Sequence, residues 1–255
     1  PPDLNKTAAY PIEQLKTNLA LHGIKITQAD QRLTFNHEDK QVTFFLVGEG
    51  DDYGPHPFIA VDYLVTAPEK IAAMVLSKLK LNRRVFARNC VVKKTDKNTA
   101  EQFTDLYHLM GATQSAYNMG LYLNNELLAL ASFSKGRKMN RLAEHERSYE
   151  LIRFCCKSGL SVSGGLSKLL KKFSIEKNAG DIMTYVDKQW GQGAAFLKLG
   201  FKKHSETEPH SFLINRKTFE RIPLKDEQEV VDQRHFYRAQ NLGNIKLVYT
   251  PAKEK

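Results

Sequence analysis

Cysteine is scarce in this sequence, with three residues in a chain of 255. Cys155 and Cys156 are neighbours in an apolar run that predicts a strand, so their side chains point to opposite faces and Cys90 is left alone. No spacing of cysteine and histidine residues matches a zinc site. The pattern therefore indicates reduced structural thiols, and it predicts neither a disulfide framework nor a bound metal.

Long hydrophobic runs are also missing, and this argues against a membrane-spanning helix. No apolar run approaches the roughly 20 residues that such a helix needs. The first residues, Pro1-Pro2-Asp3, lack the basic and apolar regions of a signal peptide. We therefore expect no membrane partner and a cytoplasmic location.

Acidic residues are fewer than basic ones. The sequence contains 28 Asp and Glu and 38 Lys and Arg, which gives a net charge of +10. Such an excess concerns partners rather than fold, and it favours polyanions such as DNA. The basic residues are densest at 78–97, where eight of them accompany a single acid, Asp96. We expect contacts with DNA backbone phosphates, and the alternative is an ordinary solvated face. The candidate contact residues are Arg83, Arg84, Arg88, Lys93, Lys94, Arg137 and Lys138.

Residues 150–201 alternate between strand and helix patterns. An apolar run at 150–156 predicts a strand, and a loop with several glycines follows it. Four apolar residues then recur at the spacing of one helix face, namely Leu166, Leu169, Leu170 and Phe173. A second apolar run at 182–186 ends on Asp187, and a short helix at 194–199 stops at Gly200. This order predicts two parallel strands joined by a crossover helix.

The glycine loop predicts an anion-binding site. Backbone N–H groups are unpaired at a helix start, and two positions without Cβ allow a phosphate to approach. The residues that would bind it are Ser163, Gly164, Gly165, Leu166 and Ser167. Asp187 follows a parallel strand, where open α/β sheets place their sites. The alternative for Asp187 is that it only caps the next helix.

The rest of the chain predicts a small N-terminal α/β region at 1–83 and a larger α/β domain at 84–255. In the first region, Pro11 is expected to start a helix with Ile12, Leu15 and Leu19 on one face. Strands are predicted at 32–35, 41–47, 58–65, 85–92, 211–214 and 245–249. A hairpin is predicted at 117–133, because Asn124-Asn125 is a turn-forming dipeptide that permits positive φ.

The order of strand, glycine loop and helix, with Leu199-Gly200-Phe201 at its end, resembles the GNAT acetyltransferase fold. The glycine loop of that family grips the pyrophosphate of coenzyme A. Its pattern is Gln or Arg, two residues, Gly, any residue, then Gly or Ala. Val162, Gly165 and Ser167 occupy those positions here, so one glycine is kept. The family's tyrosine that is proposed to protonate the departing thiolate aligns with Phe196.

Residues 85–255 resemble a group of bacteriophage GNAT-like proteins in an ordered set of motifs. The motifs lie at 87–90, 107–111, 120–122, 151–154, 164–170, 184–187, 200–201 and 240–244. The phage DNA-modification protein Mom, which attaches an acyl-derived group to adenine N6, is similar in its hairpin and in a strand that ends in Tyr-x-Asp. Some relatives carry a nuclease domain of homing-endonuclease type.

The resemblance implies a mixed α/β fold and a transferase that modifies adenine in DNA, with acetyl-CoA or a related acyl-CoA as donor. If a phage encodes the chain, it would act in the host cell cytoplasm. The chemistry needs a proton acceptor and a dry pocket for an extruded base. Asp187 and His108 are the candidate acceptors, although a histidine at a helix end is also a common structural residue. Tyr185, together with Tyr117 and Tyr122, would stack on the base or bind it through a hydrogen bond.

A second hypothesis is a protein of another class. The chain would then be a non-catalytic, DNA-binding accessory module of a phage homing-endonuclease system. Phe196 and Val162, which depart from the transferase pattern, favour this alternative.

Overall fold

The computed structural model describes residues 4–51, 57–224 and 232–252. Within them the α-helices are α1 (Leu4–Ala20), α2 (Val61–Thr66), α3 (Pro68–Lys78), α4 (Lys97–Tyr107), α5 (Gly165–Lys177) and α6 (Ala194–Lys198). The first eight strands are β1 (Lys25–Ala29), β2 (Arg32–His37), β3 (Lys40–Val47), β4 (Phe58–Ala60), β5 (Arg83–Phe86), β6 (Val91–Lys94), β7 (Tyr117–Leu123) and β8 (Glu126–Phe133). The remaining strands are β9 (Arg147–Cys156), β10 (Leu160–Ser163), β11 (Ala179–Asp187), β12 (Lys202–Glu206), β13 (Ser211–Asn215), β14 (Arg221–Pro223), β15 (Phe236–Gln240) and β16 (Asn244–Tyr249).

The chain forms two compact units. The first unit consists of Pro1–Lys80, Asp187–Gln192 and Glu206–Asn244, and the second consists of Leu81–Val186, Gly193–Ser205 and Ile245–Lys255. The first unit therefore includes two later segments, Asp187–Gln192 and Glu206–Asn244, which the predicted boundary at residue 83 places in the C-terminal domain. The division into domains at 1–83 and 84–255 stays a prediction.

The N-terminal part of the first unit combines helices with a four-stranded sheet in the order β1-β2-β3-β4. Ile12, Leu15 and Leu19 are buried on one face of α1, as the periodicity predicted. Pro11 lies inside this helix rather than at its start, which corrects the expected boundary. The predicted strand at 58–65 is also wrong beyond Ala60, because the chain turns there into α2.

A second sheet in the same unit has three antiparallel strands in the order β14-β13-β15, and β13 confirms the strand predicted at 211–214. Arg221 reaches from β14 to the buried carboxylate of Asp62, with Nε–Oδ2 and Nη2–Oδ1 distances of 2.7 and 2.9 Å. Arg216 forms a second two-pronged ion pair, with Glu49. These pairs join the C-terminal sheet to the N-terminal elements of the unit.

The second unit contains a seven-stranded mixed sheet in the order β12-β16-β11-β9-β8-β7-β6. Strand β11 pairs with β9 in parallel, and α5 lies between these two strands in the sequence. Phe173 of α5 stacks on Phe133 of β8 with ring centroids 3.7 Å apart, and both side chains are fully buried. Together with the N-terminal helices and sheet, this arrangement confirms the predicted α/β fold class, a mixed sheet with flanking helices plus a small N-terminal α/β region.

The strand predicted at 85–92 is instead two strands separated by a 3-10 turn, Ala87–Asn89. Strand β5 pairs in parallel with β10, whereas β6 pairs antiparallel with β7. The chain therefore leaves one sheet and joins another. Lys168 of α5 holds the turn, because its Nζ donates to the carbonyl oxygens of Ala87 and Cys90 at 2.9 and 2.6 Å.

Candidate functional site

The glycine turn lies between β10 and α5. Gly164 adopts the left-handed conformation with φ 75°, and α5 begins at Gly165. The first intrahelical bond joins the Lys168 N–H to the Gly164 carbonyl, so the three preceding N–H groups have no acceptor within the helix. The first turn contains no acidic residue, and no side chain caps it in the described structure. These features suit an anion.

The two glycines have different structural roles. A Cβ at Gly164 would meet only the Ala87 Cβ, at 3.8 Å, so this position is glycine because of its positive φ. A Cβ at Gly165 would lie 3.0 Å from Leu121 Cδ1 and 3.1 Å from Val162 Cβ. Gly165 is therefore needed for close packing of α5 against the core, whether or not a phosphate approaches it. Ser163 and Ser167 are exposed on either side of the turn, whereas Leu166 is buried.

Lys168 adds positive charge close to this turn. Its ammonium group is half-buried and binds two carbonyl oxygens of the neighbouring 3-10 turn. Burial raises the pKa of the Cys90 thiol, and the charge of Lys168 opposes that rise. The lysine thus acts both as a structural anchor and as a fixed cation near the start of α5.

Parallel pairing of β5 with β10 places two of the predicted DNA-binding arginines, Arg83 and Arg84, along the strand that leads into the glycine turn. Arg83 pairs with Leu160, Arg84 with Ser161 and Phe86 with Ser163. Arg88 follows in the 3-10 turn, and the side chains of Arg83, Arg84 and Arg88 are exposed. The turn that contains Arg88, predicted to contact nucleic acid, is therefore close to the glycine loop predicted to bind a phosphate-bearing donor.

The other predicted nucleic acid contacts lie on different elements. Lys93 and Lys94 are exposed on β6, where the Lys93 Nζ lies 5.3 Å from the centroid of the Tyr122 ring. Arg137 and Lys138 are exposed on the segment between β8 and β9, and Arg137 forms an isolated bridge with Ser148. A cavity of about 160 Å³ lies beside Lys94. It is lined by Lys94, Thr95, Tyr117, Met119, Phe173 and Lys177, among others.

The parallel strands β9 and β11 are paired over only part of their length. Their pairing extends from Ala179 and Arg147 to Met183 and Glu150, and no backbone pair between them follows within these fully described strands. The Thr184 hydroxyl donates to the Leu151 carbonyl at 2.9 Å just beyond this point. Beyond this point the two strands are joined by this side-chain hydrogen bond and no longer by backbone pairing.

Asp187 is the last residue of β11 and caps the following 3-10 helix, Lys188–Trp190. Its Oδ1 accepts a hydrogen bond from the Gln189 N–H at 2.8 Å, so Asp187 does cap this helix, whereas the alternative that capping is its only role stays a prediction. Burial raises the pKa of this carboxyl, and it outweighs the opposing hydrogen bonds from Gln189 and Asn241 and the charges of Arg221 and His210. A dehydrated carboxylate of this kind is a stronger base than an exposed one, so capping does not exclude the predicted role.

Asn241 forms a hydrogen bond with Asp187 and helps to position it. The sequence did not identify Asn241 as a site residue. Its Oδ1 accepts hydrogen bonds from the N–H groups of His210 at 2.8 Å and Gly243 at 2.9 Å, and its side chain also binds Asp187. Gly243 has φ 75°, and a Cβ there would lie 2.2 Å from the Thr207 carbonyl oxygen. In the sequence, residues 240–244 stood out only because they resemble a motif of the phage proteins. The contacts of Asn241 with His210 and Asp187 could not be predicted, because these residues are distant in the sequence.

His108 and Tyr185 are the other predicted catalytic residues. His108 follows the end of α4, and its Nδ1 accepts a hydrogen bond from the Met110 N–H at 3.2 Å. Tyr185 is 41% exposed on β11. Both belong to the second compact unit, whereas Asp187 belongs to the first. Their catalytic roles stay predictions.

Phe196, which replaces the family's tyrosine, has a packing role. Its ring meets the ring of Phe201 edge to face, with centroids 5.3 Å apart. The described ranges contain no group of three His, Cys, Asp or Glu side chains arranged to hold a metal ion. Across the same part of the chain, no helix has the length and apolar character needed to cross a bilayer.

Comparisons with known proteins give structural likenesses alone. No protein-family model and no curated protein matches the sequence. A GNAT family acetyltransferase from Elizabethkingia anophelis, solved with acetyl-CoA bound, aligns at 13% identity and a TM-score of 0.39, over 64% of this chain and 99% of that one. An acetyltransferase from Bacillus subtilis in complex with CoA aligns at 13% identity and a TM-score of 0.40, over 64% and 99%. The aminoglycoside 6'-N-acetyltransferase from Enterococcus faecium aligns at 12% identity and a TM-score of 0.38, over 64% and 99%.

Proposed function

We propose that this chain is a GNAT-fold acyltransferase that uses acetyl-CoA or a related acyl-CoA to modify a nucleobase, adenine, in DNA. The observation that carries the proposal is the pairing of β5 with β10. It places the end of β5, and the turn that contains the exposed Arg88, next to an uncapped helix start that suits a phosphate group. A nucleic acid substrate and a phosphate-bearing donor would thus bind on neighbouring surfaces of one unit.

The donor side of the proposal is supported by charge and by unpaired backbone groups. The positive end of the α5 dipole, the free N–H groups of its first turn and the Lys168 ammonium all favour a pyrophosphate at the turn. Backbone pairing of β9 with β11 ends at Met183, and we propose that the pantetheine arm of the donor pairs with the edges of these strands beyond that point. The acyl thioester itself follows from the resemblance to GNAT proteins.

Donor binding is tested best at Ser167, which is exposed in the first turn of α5. Ser167→Glu places a carboxylate where it stabilises the helix through its dipole, yet the charge repels a pyrophosphate. Ser167→Gln has nearly the same shape and no charge. We expect calorimetry to show coenzyme A affinity about tenfold weaker for Ser167→Glu than for Ser167→Gln, at equal or higher stability. Equal affinities would remove the turn from the donor site.

The chemistry is tested by mass spectrometry of DNA nucleosides from expressing cells. The transferase predicts a modified deoxyadenosine with the unaltered protein and its loss with Asp187→Asn at equal protein level. Asparagine keeps the size and the capping oxygen but cannot take a proton. If donor-replete cells contain no modified nucleoside, the enzyme proposal fails even when coenzyme A binds.

A second candidate function is the non-catalytic DNA-binding module. Phe196 favours it, because its ring is packed on Phe201 and offers no hydroxyl to a departing thiolate. This candidate predicts DNA binding without coenzyme A binding and without a modified nucleoside. The calorimetry and the nucleoside measurement therefore distinguish it from the enzyme.

A further inference from the structure

Phe86 is an exposed aromatic residue in the most basic part of the second unit. Its side chain is 43% exposed at the end of β5. Alternation along the strand places Arg84 and Phe86 on one face and the buried Val85 on the other. A large apolar ring held at the surface by a strand is available to a partner.

The surroundings of the ring are cationic. The guanidinium carbon of Arg88 lies 4.9 Å from the centroid of the Phe86 ring, so an arginine is stacked over the aromatic face. Arg84 is exposed on the same face of the strand, two residues earlier. The sequence contains no acidic residue between Arg83 and Thr95. The charge of this surface is complementary to a nucleic acid strand.

An aromatic ring with a guanidinium stacked over it can bind a nucleotide base, which differs from the binding of a phosphate by a basic side chain. Paired bases of a duplex expose only their edges, whereas an unpaired base exposes a π-face that stacks on aromatic rings and guanidinium planes. Lysines and arginines without an aromatic residue would bind duplex and single strands alike through phosphates. The presence of Phe86 among the arginines therefore points to unpaired nucleotides.

The position of the ring relates it to the glycine turn. Phe86 pairs with Ser163, which directly precedes Gly164. Adjacent strands are about 4.8 Å apart. Lys168 fixes the same region, because its Nζ binds the Ala87 and Cys90 carbonyls that flank Arg88. The stacking residues are thus held rigidly beside the candidate donor site.

We infer that Phe86 and Arg88 form a stacking surface for an unpaired nucleotide of the DNA substrate, with Arg84 binding an adjoining phosphate. The inference rests on the proposed function for its choice of DNA. It adds which residues hold a nucleotide outside the duplex stack. It assigns this task to β5 and the turn after it, rather than to the tyrosines predicted from the sequence.

The test compares binding of a short single-stranded oligonucleotide with binding of the same sequence as a duplex, by fluorescence anisotropy. Phe86→Leu keeps an apolar side chain but removes the ring, and Phe86→Tyr keeps the ring. We expect Phe86→Leu to weaken single-strand binding roughly tenfold and Phe86→Tyr to change it by less than about twofold, with duplex binding nearly unchanged for both. Leu106→Ala, at a 63% exposed residue of α4, is the control for loss of an exposed apolar side chain.

Four other outcomes are decisive. Unchanged single-strand binding by Phe86→Leu overturns the inference while leaving DNA binding in place. Equal weakening of single-strand and duplex binding also overturns it, because the ring would then contact the duplex. Loss of coenzyme A affinity without loss of single-strand affinity assigns the ring to the donor and overturns it. If the unaltered protein binds no DNA at all, the inference and the DNA part of the proposed function fail together.

Discussion

Asp187 has a structural role that is compatible with the chemical role proposed for it. It caps the 3-10 helix at Lys188–Trp190 and is held by Asn241, so its geometry is fixed by its neighbours. Burial raises its pKa despite those contacts. A base of raised pKa that is held rigidly is what proton abstraction from an exocyclic amine needs. The capping role and the proposed role as a base therefore require the same position of the Asp187 side chain.

The raised pKa of Asp187 predicts a pH-dependent stability difference. The folded protein keeps this proton to higher pH than the unfolded chain, whose carboxyl titrates near the ordinary value of 3.8. The group's contribution to the free energy of unfolding therefore falls as pH rises from that value through the raised folded pKa. Asp187→Asn removes this titration, so the variant should gain stability relative to the unaltered protein across that window and show a constant difference above it.

Urea unfolding of both proteins at a series of pH values measures this difference. The capping hydrogen bond shifts the comparison by the same amount at every pH, because asparagine also accepts from the Gln189 N–H. A stability difference that does not vary between pH 3.8 and neutrality would contradict a raised pKa.

At the scale of an element, α5 connects the core to the candidate donor site. Leu169, Leu170 and Phe173 are buried along one face, and Gly165 allows the first turn to pack closely on Leu121. The end of the helix that would bind phosphate is thus positioned by a tight apolar contact. Changes intended to block the phosphate at Gly165 would disturb that contact first.

Gly165→Ala is therefore expected to destabilise the protein, although alanine is the better helix former by about 1 kcal/mol. Its Cβ would lie 3.0 Å from Leu121 Cδ1, and overpacking of this kind costs about 1–3 kcal/mol. Denaturant midpoints measure the effect. Ser167→Ala, in the exposed part of the same turn, should change stability by less than about 0.5 kcal/mol. A stabilised Gly165→Ala variant would show that Leu121 and Val162 move aside readily.

At the scale of the whole molecule, the net charge of +10 affects how strongly the protein associates with charged partners. It strengthens binding to any polyanion, so affinity alone does not identify the DNA-binding surface. The salt dependence of binding is more informative, because it counts the phosphates that are neutralised.

Neutralising Arg83, Arg84 and Arg88 together should make the salt dependence of DNA binding shallower. Each lost phosphate contact lowers the slope of log affinity against log salt by about 0.9 for duplex DNA, so a change of roughly 2–3 is expected. Affinity should fall alike for all sequences. A variant with neutral residues at the exposed Lys25, Lys198 and Lys202 has the same net charge and should keep the original slope. If both variants change the slope equally, the contacts are spread over the surface.

Local patterns in the sequence determined many of the elements correctly. The apolar spacing of α5 and the hairpin of β7 and β8 were predictable, because each depends on residues close together in the chain. Asn124 and Asn125 adopt φ of 50° and 65°, as expected of a turn dipeptide that tolerates positive φ. The parallel pairing of β9 with β11 followed from the crossover order. These features need no knowledge of distant partners.

The tertiary structure decided which residues the candidate site contains. Pairing of β5 with β10 joins residues more than 70 positions apart, and it alone places Phe86 beside the glycine turn, with Arg83 and Arg84 farther along the same pair of strands. The burial of Asp62 depends in the same way on Arg221, 159 residues later in the chain. The alternation of residues along a strand predicts which side chains share a face, but it does not predict which strand lies beside it. The pairing and its register are set by packing and hydrogen bonding between distant segments. The residue types of the site could thus be predicted from the sequence, whereas their proximity required the fold.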